Sequence, residues 1–388
     1  MKYYLSNSFA LKWLEEKSLY DLTKDELYEL DDEAFEFLKN CISQEGCYIE
    51  GLNPDFTDFC FKEQILTKEP YRRKIPPLIK APEPSLRYLE LQITDKCNLK
   101  CKHCFVGNSQ NNELTIDIIK RIFDEFIQMQ GLRVMITGGE PLMHKEFEKL
   151  NSLLPEYPFR KILFTNGILL NQKIIEALNV DEIQFSIDGM EKGHDTLRGK
   201  GTFSKVLKKL CKAKELGIPV SVATIVHSNN LDEFDKMEAL FKEIRVKDWT
   251  VDIPSPTGNL INNPSLQVTP EIAGRYLNYG FGENYHSSDE GFACGLHLLS
   301  VLANGAIAKC AFYCSSPLGY IYEGLRNVWQ RLKPIKLDEL ECSNISCPVI
   351  NSCRGGCRYR SATYHVNNGD NYRKDIYKCF AYGIMKNE

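Results

Sequence analysis

Three cysteines carry the most pointed chemistry in this chain. In LELQITDKCNLKCKHCFVG, Leu89 to Gly107, Cys97, Cys101 and Cys104 follow the order C-x3-C-x2-C. Thiols this close together suit a soft metal better than a core. A structural zinc takes four protein ligands. Either a fourth ligand lies elsewhere, or one metal position is left open. Eight more cysteines follow, Cys294, Cys310, Cys314, Cys342, Cys347, Cys353, Cys357 and Cys379. Taken alone, these fit one or two zinc sites or one or two iron–sulfur clusters. SCRGGCRYRS places two glycines between thiols, so the backbone can wrap a bulky ligand.

The remaining residues of interest fall at the ends of strand-like runs. TGGEP, Thr137 to Pro141, offers two glycines for close backbone approach, with the Glu140 carboxylate beside open carbonyls. That combination suits a cationic amino group; the plainer reading is a turn before a helix. FTNG (Phe164 to Gly167) and FSIDG (Phe185 to Gly189) end two further runs.

The elements that must position these residues repeat as strand, helix, strand. Six runs read as strands: 88–94, 132–137, 161–165, 182–187, 218–226 and 247–253. Helical patterns such as IDIIKRIFDEFIQMQG and FSKVLKKLCKAKELG lie between them and stop at glycine. This order predicts an α/β fold with a parallel sheet, either doubly wound or an incomplete barrel. In both, ligands gather at the C-terminal strand ends, so the motifs above should converge. LSVLANGAIAKC reads as a hairpin turning at ANG.

Composition sets the outer bounds. The chain has 388 residues, 43% hydrophobic and 26% charged, with a net charge of −4. That predicts a folded, water-soluble protein with no nucleic-acid or membrane partner. The N-terminal stretch shows no basic region followed by an apolar one, so no signal peptide is expected and the expected compartment is the cytoplasm. Its 15 cysteines are then expected to be thiols rather than disulfides. Cys41, Cys47, Cys60 and Cys211, outside both groups, are expected to be ordinary buried cysteines.

CNLKCKHC followed about 35 residues later by TGGEPL resembles the radical S-adenosylmethionine (SAM) superfamily. The resemblance implies a partial (β/α)6 barrel, similar to a TIM barrel. It implies that Cys97, Cys101 and Cys104 hold three irons of a 4Fe–4S cluster. The open fourth iron chelates SAM, and reductive cleavage releases a 5′-deoxyadenosyl radical. It further implies that Gly138, Gly139, Glu140 and Pro141 meet the SAM amino group and that Asn166 lines the site. Ser186 and Asp188 would contact ribose or carboxylate, Arg198 the carboxylate, and Phe105 the adenine.

The later cysteines resemble the SPASM extension of that superfamily, which binds two auxiliary 4Fe–4S clusters. One departure stands out: four residues separate Cys342 from Cys347, where the family has two. The resemblance assigns Cys294, Cys310 and Cys357 to one cluster, with Cys314 or an open iron completing it. It assigns Cys342, Cys347, Cys353 and Cys379 to the other.

At the N-terminus, LYDL and ELYEL flank a polar TKDE turn, a hairpin signal. Asp31 or Asp32 can cap a following helix with Phe35, Leu38 and Ile42 on one face. This α+β pattern resembles the PqqD-like, winged-helix-like element that binds a leader peptide as an added edge strand; the alternative is a structural cap on the barrel. The expected organisation is residues 1–75 for peptide recognition, a proline-rich linker over 68–84, the radical SAM barrel over 76–285 and the SPASM region over 286–388. The expected function is modification of a ribosomally made peptide, with a thioether or carbon–carbon crosslink and a flavodoxin or ferredoxin as electron donor. The alternatives are haem or other cofactor maturation, formylglycine-type sulfatase maturation, and a non-catalytic metal-binding peptide scaffold.

Overall fold

Tight turns join three strands near the N-terminus into a small antiparallel sheet. They are β1 (Phe9–Trp13), β2 (Lys17–Asp21) and β3 (Glu26–Glu29). The expected hairpin is β2–β3, and Asp25 at its turn takes a φ of 69°. Helix α1 (Asp32–Cys41) starts where Asp31 accepts a hydrogen bond from the Ala34 N–H at 2.8 Å. Its apolar face, Phe35, Leu38 and then Ile42, closes on Leu11 and Leu19 of the sheet. Helix α2 (Pro54–Lys62) packs alongside, with Phe56 against Phe37. The computed structural model describes residues 1–49, 53–282, 289–364 and 371–385. The boundary expected at 285/286 lies outside the described residues.

One cysteine expectation is corrected here. Cys41 and Cys47 are not separate thiols but a disulfide. The bridge between Tyr3 and Cys47 turns the chain back on the end of α1 and brings the two Cα atoms to 4.8 Å. Cys60 is a buried free thiol and Cys211 a half-buried one.

The six middle runs are six parallel strands: β4 (Tyr88–Thr94), β5 (Arg133–Gly138), β6 (Arg160–Thr165), β7 (Glu182–Ser186), β8 (Val220–Ile225) and β9 (Trp249–Asp252). They lie side by side in sequence order. Helix α3 (Ile116–Gln128) connects β4 to β5, α4 (Glu191–Arg198) and α5 (Thr202–Glu215) connect β7 to β8, and α6 (Phe234–Ile244) connects β8 to β9.

Register shows that the helices cover one face only. Leu89, Leu91 and Ile93 of β4 pack with α3, as do Val134 and Ile136 of β5. Ile183, Phe185, Val220 and Val222 continue that face under α5 and α6. The alternate residues, among them Glu90, Gln92, Gln184 and Ser186, point the other way. A doubly wound sheet would carry helices on both faces and reverse its strand order. Sequence order with one covered face is the wall of a barrel. The wall does not close, because β4 pairs with β10 (Leu298–Val301) rather than β9. β10 and β11 (Ala306–Ala308) form the expected hairpin, and β12 (Gly319–Tyr320) completes a sheet of nine strands.

The N-terminal sheet docks on the end of this wall where the strands begin. Tyr88, Arg133 and Arg160 share one register row on the uncovered face. Asp25 enters between the two arginines, paired with Arg133 and 3.5 Å from Arg160. Arg160 also pairs with Glu182 at 2.7 Å. Lys12 is buried, donating to Gly131 O at 2.6 Å and Pro158 O at 2.8 Å. The proline-rich segment 68–84 carries no helix or strand. It is nonetheless pinned: Arg73 donates to Tyr157 O at 3.0 Å, and Lys74 N–H to Glu156 O at 2.7 Å.

Candidate active site

The cysteine loop leaves β4 at Thr94 and is held on every side. Asp95 accepts from Ser109 Oγ at 2.6 Å, Asn112 Nδ2 at 2.8 Å and Gln110 N–H at 3.1 Å, which folds the loop back on itself. Lys96 pairs with Glu113 at 2.9 Å. From the far side, Asn259 donates through its backbone to Cys104 O at 2.9 Å and through its side chain to Cys101 O at 3.0 Å. Gly258 makes that approach possible, since a Cβ there would meet Cys104 O at 2.2 Å. Neither Gly258 nor Asn259 stood out in the sequence; their only signal was a loop following the last barrel strand.

The glycines of TGGEP serve a close approach, and the partner is protein. A Cβ on Gly138 would sit 2.2 Å from Thr94 O, and one on Gly139 2.3 Å from Lys96 O. Gly139 N–H donates to Thr94 O and Glu140 N–H to Lys96 O, both at 2.8 Å. The motif therefore clamps the root of the cysteine loop. Glu140 is buried and turned inward. Its carboxylate accepts from Thr165 Oγ1 at 2.8 Å and Asn166 N–H at 2.9 Å, tying the end of β5 to the end of β6. Burial pushes its carboxyl up to about 7 against those donors. Pro141 opens the short helical turn that follows.

Cys97 is exposed, Cys101 buried and Cys104 half-buried. Donors face the sulfurs. Asn166 Nδ2 lies 3.8 Å from Cys97 Sγ, Leu99 N–H 3.5 Å from the same atom, and Arg198 Nη1 3.9 Å from Cys101 Sγ. Arg198 is oriented by an ion pair with Asp188, which is buried and also accepts from Ile225 N–H at 2.8 Å. Burial alone would raise the Asp188 carboxyl; the Arg198 charge, His103, His194 and the Ile225 N–H together outweigh it and hold it well below the usual carboxylate range. So Asp188 and Arg198, both expected at the cofactor, hold each other, and Arg198 turns toward the thiols. Burial lifts the Cys101 thiol to about 11, with Arg198 pulling the other way. A bound metal ionises such thiols, and amide and guanidinium donors then stabilise the thiolates. Ser186 is half-exposed at the end of β7. The Phe105 ring lies 5.5 Å from that of Phe312 beside the second cysteine group.

The later cysteines gather in two places. Cys342, Cys347, Cys353 and Cys379 line a single cavity with Gly355 and Lys378. Cys294, Cys310 and Cys357 lie close enough to raise one another's thiols, behind the larger effect of burial. Cys314 is exposed, beside Tyr359. Asp375 links the two groups. It accepts from Cys357 N–H at 2.8 Å and caps helix α7 (Ile376–Ala381), which carries Cys379. Arg360 pairs with Asp375 at 2.7 Å and with Asp252, at the end of β9, at 2.5 Å. Both thiol groups are thus tied to the barrel. No spacing marked Arg360, Asp375 or Asp252 in the sequence. Among the described residues no three cysteines bring their sulfurs mutually within 4.8 Å. One tetrahedral zinc would need its sulfurs about 3.8 Å apart, so these sets are wide for a single ion and suit a larger metal group.

Residues 91–241 match the sequence profile of the radical SAM superfamily. The AdoMet-dependent heme synthase of Methanosarcina barkeri is 30% identical over 201 residues, 50% of this chain and 57% of that protein. The chain thus spans about half the length of the first curated relatives it matches. Mycofactocin maturase MftC of Mycolicibacterium smegmatis is 25% identical over 69% of this chain and 77% of its own. The crystal structure of Streptococcus suis SuiB bound to precursor peptide SuiA superposes with a TM-score of 0.64 at 16% identity, over 96% of this chain and 99% of that one. The fold likeness therefore runs through the N-terminal sheet and the cysteine-rich end as well as the barrel. That profile lies across the strands that carry the cysteine loop, so the barrel region of this chain, residues 91–241, is similar to the radical SAM superfamily of enzymes.

Proposed function

We propose that this enzyme modifies a ribosomally synthesised peptide by radical chemistry, installing a thioether or carbon–carbon crosslink. The observation that carries the proposal is the combination of parts in one body. An open three-thiol loop at the strand ends of the barrel sheet is joined to two further thiol groups through Arg360 and Asp252, and a separate N-terminal sheet with an exposed edge docks on the other end of that wall. Cys97, Cys101 and Cys104 would hold a 4Fe–4S cluster, which when bound supplies the electron that cleaves SAM to a 5′-deoxyadenosyl radical. The backbone at Gly138 and Gly139, with Asn166, Ser186 and Phe105, would seat SAM. Asp188 and Arg198 orient the thiolate of Cys101 from behind. Cys294, Cys310 and Cys357, with or without Cys314, would hold one auxiliary cluster, and Cys342, Cys347, Cys353 and Cys379 another. Strand β3, with Leu27 exposed and Tyr28 against Phe59 of α2, would take the peptide's recognition segment as an added strand.

A second reading, action on a tetrapyrrole, is favoured by the match to the heme synthase. One measurement tests the radical chemistry that both readings share, and a second separates the readings. Anaerobically reconstituted protein should hold about 12 irons, and a variant with Cys97, Cys101 and Cys104 all changed to Ala about 8, with 5′-deoxyadenosine formed by the wild type alone. A short peptide encoded beside the enzyme's gene should then lose two hydrogens per crosslink. An unchanged peptide, with a tetrapyrrole altered instead, would replace the first reading by the second.

A further inference from the structure

We propose that Glu15, Asp289 and His297 form a binding site for one Zn2+ ion, placed where the N-terminal sheet meets the barrel. The three residues come from distant parts of the chain. Glu15 sits in the turn between β1 and β2, His297 immediately precedes β10, and Asp289 lies further upstream. A carboxylate oxygen of Glu15, a carboxylate oxygen of Asp289 and a ring nitrogen of His297 all lie within 4.8 Å of one another.

The histidine is what points to an ion. Its ring is fully buried. Nδ1 lies 2.8 Å from Ser85 O. A carbonyl only accepts, so Nδ1 carries the hydrogen. Burial, with the Arg87 charge behind it, pushes the ring below its ordinary value. The imidazole is then neutral at pH 7, and Nε2 holds a lone pair. That nitrogen makes no hydrogen bond among the described residues. Asp289 Oδ2 stands 3.0 Å from it. A lone pair facing a carboxylate oxygen repels it; a cation beside them turns both into ligands. The spacing suits one, since donors about 2.0–2.1 Å from a tetrahedral ion stand about 3.3 Å apart.

The surroundings match what metal ligands need. A ligating histidine donates its other ring N–H to a carbonyl or carboxylate, and ligating carboxylates are themselves hydrogen-bonded. Glu15 accepts from Ser85 N–H at 2.8 Å and from Ser85 Oγ at 3.1 Å. Arg87 donates to Glu15 at 2.7 Å and to Asp289 Oδ1 at 3.2 Å. Its longest reach, 3.4 Å to Asp289 Oδ2, is the contact the ion would replace. One guanidinium against two carboxylates leaves a negative charge for the ion to meet. A nitrogen with two carboxylate oxygens suits Zn2+ better than Mg2+ or Ca2+, which take oxygen ligands. Water would complete the shell. His297 O also accepts from Arg87 N–H and Tyr88 N–H, at the start of β4. The ion would thus fasten the β1–β2 turn and the segment entering β10 together, at the end of the barrel opposite the cysteine loop.

The test uses reconstituted holoenzyme, freed of loose metal by a brief chelator wash and titrated with Co2+ as an absorbing stand-in for Zn2+. Wild type should take up about one Co2+ per chain, with the visible bands of nitrogen and oxygen donors and no sulfur-to-cobalt charge transfer. Zn2+ should displace it and raise the thermal unfolding midpoint. Asp289→Asn and His297→Gln should each weaken uptake at least tenfold and lose that rise, with iron content unchanged. Asp289 is part exposed, so its variant decides should His297→Gln fail to fold. Uptake that Asp289→Asn retains in full, uptake seen only through sulfur, or no uptake by wild type overturns the proposal.

Discussion

Arg198 and Asp188 show how much of this site is held by one buried pair. Asp188 has no exposure and takes its counter-charge from Arg198. Removing one partner leaves the other charged and desolvated. Arg198→Met should therefore cost about 3–5 kcal/mol, read as the urea unfolding free energy of metal-free protein. A loss near zero would mean that water reaches Asp188. Sequence placed both residues at the site, but their bond to each other could not be read from spacing, since ten residues and a helix separate them. The same holds for Glu140. Its motif was legible, and its inward turn onto Thr165 and Asn166 was not, because only the meeting of β5 with β6 creates those donors.

Elements were legible wherever periodicity was strong. The six apolar runs of the middle region are the six barrel strands, and the start of α1 follows from Asp31. The choice between a doubly wound sheet and a barrel wall was not legible, because both use the same strand–helix alternation; strand order and the single helix-covered face decide it. The disulfide was hidden for a related reason. Cys41 ends a helix and Cys47 joins a bridge to Tyr3, and composition alone argued for free thiols. Alkylation of the metal-free, denatured chain should label 13 cysteines without reductant, and the whole set of 15 after reduction, counted by mass. Full labelling without reductant would show Cys41 and Cys47 to be open.

At the scale of the molecule, buried charge joins the N-terminal sheet to the barrel. Arg133 and Arg160 face Asp25 and Glu182, two cations against two anions in one desolvated layer. Asp25→Asn removes one anion and should destabilise the whole chain by about 3–5 kcal/mol. It should do so in a single unfolding transition; a separate early transition of the N-terminal region would contradict the joint. A second junction is the Arg87 bond to Glu15 at 2.7 Å. Burial alone would raise the Glu15 carboxyl, but the hydrogen bonds from Arg87 and the Ser85 N–H, with the Arg87 charge, together outweigh it and bring it from 4.5 down to about 2. A depressed carboxyl gives stability that is present above its unfolded value and lost as pH falls through the folded one. Glu15→Gln should therefore flatten the loss of stability between pH 4.5 and about 2, followed by urea midpoints.

The docked hairpin also sets a length. Asp25 is fixed where the barrel strands begin, and the free edge of β3 starts at the next residue, Glu26. The cysteines lie where the strands end, one strand away, and β5 is six residues long, about 20 Å at 3.3 Å per residue. An extended peptide covers that height with about six residues. On the proposed function, this fixed anchor would make the enzyme a ruler: a peptide gripped along β3 would reach the radical only when its recognition segment and its modified residue are at least that far apart. Shortening the spacer below about six residues should abolish modification while leaving binding intact, measured by peptide mass and by affinity on the same series.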